Sequence, residues 1–154
     1  MGKIERVIFI AKSGTCREIM AMKIMQDLVL NQDIEVLARG LIVQFPEPIN
    51  QKAEAVLISN GYPTEGLVSK QLEPEEITEN TLILAMESIH RDRALEMFEG
   101  IIKPEQIRVL SEFVGDELEI LDPLGGPLQS YGLCYESIRA SIKKLIKILN
   151  EGDK

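Results

Sequence analysis

The sequence predicts an α/β fold in which a four-stranded parallel sheet carries helices on both faces. Three features predict it. Apolar runs such as Val7-Ile8-Phe9-Ile10 and Leu82-Ile83-Leu84-Ala85-Met86 are continuous rather than alternating, which suits strands buried on both faces. Segments with helical periodicity separate these runs, the mark of a parallel sheet built by crossovers. Right-handed crossovers then distribute the helices over both faces.

The first strand spans Ile4–Ile10, and the small, polar stretch Ala11–Arg17 reads as a loop. A helix follows from about Arg17 to Asn31, with Ala21, Ile24, Met25 and Leu28 on one apolar face. Thr15 and Glu18 have the spacing of a capping box at its start. The second strand is Ile34–Leu37, with Leu41–Phe45 extending or following it, and Pro46 and Pro48 break the chain. A helix capped by Asn50 and ended by Gly61 covers Asn50–Asn60. Tyr62–Glu79 is a long connection with a helical turn near Pro74–Ile77. Thr81–Met86 is the third strand, Ser88–Phe98 a helix, and Ile107–Leu110 the fourth strand. After the turn-rich Asp122–Gly126, a long helix from about Pro127 to Asn150 carries the stripe Ile138, Ile142, Leu145, Ile146 and Leu149.

The 154 residues suit one domain, and the 45 % apolar content provides a core without disulfides or metal. The formal charge of −8 argues against nucleic acid, which favours a basic face, and against anionic membranes. No signal peptide or membrane-length apolar run is expected. Two distant cysteines, Cys16 and Cys134, and one histidine, His90, exclude a Cys/His zinc cluster, so no metal or other cofactor is expected. A reducing cytoplasm is the default compartment.

The loop Ala11-Lys12-Ser13-Gly14-Thr15-Cys16-Arg17 is the candidate site. A strand-to-helix loop offers free N–H groups, and the helix dipole favours an anion there. Gly14 permits the positive φ that curls successive amides toward one point. Arg17 adds a planar fork matched to phosphate. Glycine loops are common, so the same residues also read as an ordinary strand-to-helix turn.

The run from Val7 to Ala21 resembles the opening of low-molecular-weight protein tyrosine phosphatases: an apolar strand, then Cys, five residues, Arg and Ser. Ser69-Lys70-Gln71-Leu72, Thr81–Met86 followed by His90, and Asp122-Pro123 with Gly125-Gly126 are similar to further family segments in the family's order. The resemblance covers nearly the whole chain and implies the three-layer sandwich of phosphotyrosine protein phosphatase I. It also implies roles. A thiolate at position 11 would attack phosphorus, and the amides of Lys12, Ser13, Gly14, Thr15, Cys16 and Arg17, with the Arg17 side chain, would stabilise the equatorial oxygens. Asp122 would protonate the leaving oxygen.

The chain departs from the family at its centre. Six residues before Arg17 stands Ala11, which has no nucleophile. Six residues after Cys16 is Met22, and six after Cys134 is Ala140, so no Cys-five-Arg arrangement exists. Ser13 is displaced by two positions and has no visible base. The family's Ser after the Arg is Glu18, whose carboxylate would repel an anion unless it folds back to cap the helix. Gly14 replaces the loop asparagine, Leu124 an aromatic that commonly lines the cleft, and Ile19 a proline ahead of the retained Met20-Ala21.

Three readings follow. The chain is a catalytically inactive phosphatase-like protein that binds phosphate, another oxyanion or a phosphorylated partner. Alternatively it is an active phosphatase whose natural Cys at position 11 has been replaced by Ala. The third reading is a thiol-based redox role at Cys16, where the helix start and Arg17 should lower the thiol pKa; the same residue reads more simply as a packed or loop-lining cysteine of the fold. Among other residues, His90 reads as a solvated or capping group at an exposed helix start, and Cys134 as a packing residue. The set Glu73, Glu75, Glu76 and Glu79 reads as a solvated turn, and Phe45-Pro46-Glu47-Pro48 as a gate or a rigid turn at the cleft.

Overall fold

A computed structural model describes residues 2–28 and 33–151. In chain order the elements are β1 (Arg6–Ala11), α1 (Arg17–Asp27), β2 (Glu35–Gly40), α2 (Gln51–Ser59), β3 (Thr81–Ala85), α3 (Ser88–Met97), β4 (Ile107–Val109), α4 (Leu110–Val114) and α5 (Leu128–Glu151). Short 3-10 turns at Pro74–Glu76 and Pro104–Gln106 precede β3 and β4. Among the described residues, no helix is long and apolar enough to cross a membrane.

The four strands are all parallel, in the order β2-β1-β3-β4. Residue alternation along the central strands divides the core in two. Val7, Phe9, Leu82 and Leu84 face one side and meet Ile24, Leu57, Ile138 and Leu145 from α1, α2 and α5. Ile8, Ile10, Ile83 and Ala85 face the other and meet Ala94 and Phe98 of the α3 segment. Both central strands are thus buried on two faces, and the continuous apolar runs have this cause.

Several boundaries differ from expectation. The α1 helix ends at Asp27, with Leu28 as its extended C-cap, and the expected continuation through 29–31 lies outside the described residues. The second strand runs on to Gly40 and does not include 41–45. The expected strand at 107–110 stops at Val109, where the chain turns into α4, a helix that the sequence does not predict. Asn50 caps α2 as expected, its side chain accepting from the N–H groups of Lys52 and Ala53 at 2.9 and 3.1 Å.

The sheet order places the site. The chain leaves β1 toward β2 on one side, whereas β3 pairs on the other side of β1. A crevice therefore opens beyond the carboxyl end of β1, where open α/β sheets bind ligands. The loop 12–16 occupies that position, between β1 and α1.

Candidate functional site

The loop is held from below by backbone. The carbonyl of Ala11 accepts from Leu41 N–H at 3.0 Å, that of Lys12 from Ile42 N–H at 2.9 Å, and that of Thr15 from Asn50 N–H at 2.9 Å. Gly14 takes a φ of 75°, the conformation that curls the loop. Beneath it, Gly40 approaches so closely that a Cβ there would lie 2.6 Å from Ser13 C and 2.7 Å from Gly14 N. Gly40 carries the loop, and nothing in its sequence context singles it out.

The Ser-Lys-Gln-Leu stretch braces this support. Lys70 C=O accepts from Gly40 N–H at 2.8 Å, and Leu72 N–H donates to Gly40 C=O at 2.9 Å. The Gln71 side chain accepts from Val43 N–H and donates to Leu41 C=O, both at 2.8 Å. Ser69 Oγ accepts from Glu47 N–H at 2.8 Å. These residues therefore brace Gly40 and the segment that follows it, behind the loop.

Within the loop, Ala11 is buried and presents only a methyl group at the head of the motif. Lys12 and Ser13 are exposed, and Ser13 Oγ shares a hydrogen bond of 2.8 Å with Thr15 Oγ1. The Glu18 side chain folds back into the loop. Its carboxylate accepts from Cys16 N–H at 2.9 Å and from Gly14 N–H at 3.2 Å, in a residue only 1 % exposed. Burial pushes its pKa upward, while the Cys16, Glu18 and Gly14 amides and Arg17 favour the ionised form. The expected Thr15–Glu18 capping box does not form. The N-cap is Cys16, and its side chain makes no cap bond.

Arg17 is 4 % exposed and firmly oriented. Its Nη1 donates to Glu87 Oε2 at 2.7 Å and to the Ile120 carbonyl at 2.6 Å, and its Nη2 lies 3.8 Å from Asp122 Oδ2. Asp122, half-exposed, accepts from Leu124 N–H at 3.0 Å, which fixes the turn that presents it. The Arg17–Asp122 approach brings two distant predicted residues to one place. Glu87 and the Ile120 carbonyl are not among the residues the sequence points to. A Glu three residues before His90, at the start of a helix, is the available signal for Glu87.

Two expectations about titratable groups are corrected. His90 is buried, not at an exposed helix start, although it does cap: its Nδ1 accepts from Glu87 N–H at 3.2 Å. Burial and then the Arg17 charge lower its pKa, against the carboxylates of Glu87, Asp122 and Glu119. Cys16 does not have a depressed pKa. Burial pushes its thiol far up, and Cys134, Glu18 and Asp122 add to this against Arg17. Cys134 packs on α5 as expected, its thiol raised to about 11, mainly by burial. Of the acidic turn, Glu76 is not simply solvated, because it pairs with Arg39 at 2.6 Å.

Leu121 and Leu124, on either side of Asp122, stand exposed, and so does Phe45. A wide groove is lined by the segment 116–124 and by Leu133, Cys134 and Lys144 of α5. It touches Asp122 but not the loop 11–17.

Comparison with known proteins agrees with this fold. The family described as low molecular weight phosphotyrosine protein phosphatase matches residues 6–154. A protein-arginine-phosphatase of Geobacillus stearothermophilus is 30 % identical over 145 residues, covering 94 % of this chain and 95 % of that protein. A low molecular weight protein-tyrosine-phosphatase of Staphylococcus haemolyticus is 27 % identical over 140 residues, covering 91 % and 96 %. Among solved structures, the arginine phosphatase of G. stearothermophilus superposes with a TM-score of 0.86 at 29 % identity, covering 96 % of this chain and 94 % of that one. A low molecular weight protein tyrosine phosphatase from T. tengcongensis gives 0.83 at 31 % identity, covering 93 % and 98 %.

Proposed function

The chain belongs to the low molecular weight phosphotyrosine protein phosphatase family, and we propose that it is a catalytically silent member whose loop Lys12–Arg17 recognises a phosphorylated side chain on a protein partner. One observation carries the reading: the head of the loop is the buried methyl group of Ala11. Phosphoryl transfer through a covalent intermediate needs a nucleophile facing the amides and the arginine. Ser13, the nearby hydroxyl, is exposed and engaged with Thr15. Cys16 keeps its proton, because burial holds its thiol pKa far above neutrality. What remains of the machinery binds without reacting: the oriented Arg17 fork and the curled amides, two of which, at Gly14 and Cys16, donate to the Glu18 carboxylate in the absence of a ligand.

A second reading, an active phosphatase with a natural Cys at position 11, draws on the 3.8 Å approach of Arg17 to Asp122. The substitution of Glu18 beside it opposes that reading, since two changes at one centre fit divergence better than a single replacement. Sequencing codon 11 of the gene separates the two.

The relatives' names point to two side chains, tyrosine and arginine. The test therefore uses phosphotyrosine and phosphoarginine peptides with their unphosphorylated forms, together with an aryl phosphate. The expected result is no hydrolysis above buffer, and phosphate-dependent peptide binding that Arg17→Ala abolishes. Turnover that survives Cys16→Ala but not Arg17→Ala refutes silence, and equal binding of phosphorylated and plain peptides refutes recognition.

A further inference from the structure

We propose that the Glu18 carboxylate is the resident anion of the loop, and that an external oxyanion binds only by displacing it. The inference rests on the reading of Lys12–Arg17 as an anion loop and adds how that loop is regulated. Both carboxylate oxygens are used, Oε1 on Cys16 N–H at 2.9 Å and Oε2 on Gly14 N–H at 3.2 Å. These are amides a phosphate would require. Burial alone favours the neutral form of Glu18, but N–H donors on both of its oxygens and the adjacent Arg17 favour the ionised one, and an ionised carboxylate so enclosed would strongly repel a dianion placed beside it.

The contact also joins the two departures from the family into one change. A thiolate at position 11 and a buried carboxylate at position 18 would compete for the same donors and repel each other. With Ala11 the loop loses its own anion, and Glu18 supplies another. The Gly14 and Cys16 amides thus have an acceptor without a ligand. The loop is thus held closed in the resting protein. Its opening requires the Glu18 side chain to swing out or to be neutralised.

Calorimetric titration with sulfate at about neutral pH tests this on the intact protein, comparing wild type with Glu18→Ser and Glu18→Gln. Serine is the small polar residue of the family pattern. Glutamine keeps the shape and one acceptor oxygen while removing the charge, so one variant remains informative if the other fails to fold. The expected result is sulfate binding at least roughly tenfold tighter in the variants than in wild type, with the gain removed by adding Arg17→Ala. Equal affinity in wild type and variants overturns the resident-anion proposal but leaves the loop as an anion site. Binding to none of the folded proteins at millimolar sulfate overturns the anion-loop reading itself, and this proposal with it.

Discussion

Replacing Gly40 by alanine tests whether the loop rests where the structure puts it. The added Cβ would lie 2.6 Å from Ser13 C, 2.6 Å from Val43 Cγ2 and 2.7 Å from Gly14 N. Ordinary carbon contacts begin near ~3.5 Å, so the overlap approaches a full ångström. Two of the three partners are backbone atoms of the loop, which cannot turn aside as a side chain would. Overpacking of this kind costs about 3 kcal/mol, the upper end of the usual range. The φ of Gly40 lies outside the left-handed region, so alanine also stiffens the unfolded chain, which offsets roughly 0.4–1 kcal/mol. The net loss is about 2 kcal/mol, equivalent to a Tm lowered by roughly 4–8 °C in a domain of this size. Urea unfolding should show a lower midpoint with an unchanged m-value. Gly132 serves as the control: it lies in α5, and a Cβ added there would meet nothing within 4 Å, so Gly132→Ala should stabilise by up to about 1 kcal/mol. A loss below about 0.5 kcal/mol for Gly40→Ala, the range of an inert surface change, would show that Gly40 does not support the loop.

Two further predictions concern proton affinity. His90 is the single histidine, so its NMR titration is unambiguous. Its midpoint should fall below the ordinary 6.5. Because the folded pKa is depressed, this group's contribution to stability is present above 6.5 and lost as pH falls toward the folded value. A midpoint at or above 6.5 would mean that His90 is not held neutral against Arg17. The Cys16 thiol should react with iodoacetamide at mildly alkaline pH far more slowly in the native protein than in urea, since burial keeps it protonated. Rapid native alkylation of Cys16 would instead restore the thiol-based reading.

The sheet is legible in the sequence because its central strands are apolar without interruption, as in Val7–Ile10 and Leu82–Ala85, and short runs of this kind between turn residues suit strands covered on both faces. The candidate loop is legible for a similar reason: Gly14 and Arg17 sit between a strand and a helix, where amides are free. What stays hidden depends on partners distant in sequence. Arg17 is oriented by Glu87 and the Ile120 carbonyl, seventy and more positions away, and periodicity carries no information about such pairs. Gly40 ends a strand like many glycines, and its close approach to Gly14 exists only in the folded chain. The position of Cys16 at a helix start argues for a low pKa, whereas desolvation, visible only in three dimensions, decides the sign. Glu18 stands out in the sequence as a departure from the family, and its return to the loop is one of the two outcomes the sequence allows. Its choice of the Gly14 and Cys16 amides over Thr15 depends on the curl of the loop.

The central claim, a retained frame without a nucleophile, is tested most directly by rebuilding the centre. Aryl phosphate hydrolysis is measured for wild type, Ala11→Cys, and Ala11→Cys combined with Glu18→Ser. Wild type should be silent. Cysteine alone should give weak activity, because the Glu18 carboxylate holds the amides that would lower the thiol pKa. The double variant should be clearly faster, by roughly a factor of ten for each ~1.4 kcal/mol recovered in the barrier, and Asp122→Asn added to it should slow it again. A double variant that folds and binds sulfate yet gives no turnover would contradict the account, because Arg17, Asp122 and the loop amides would then not form a phosphatase frame.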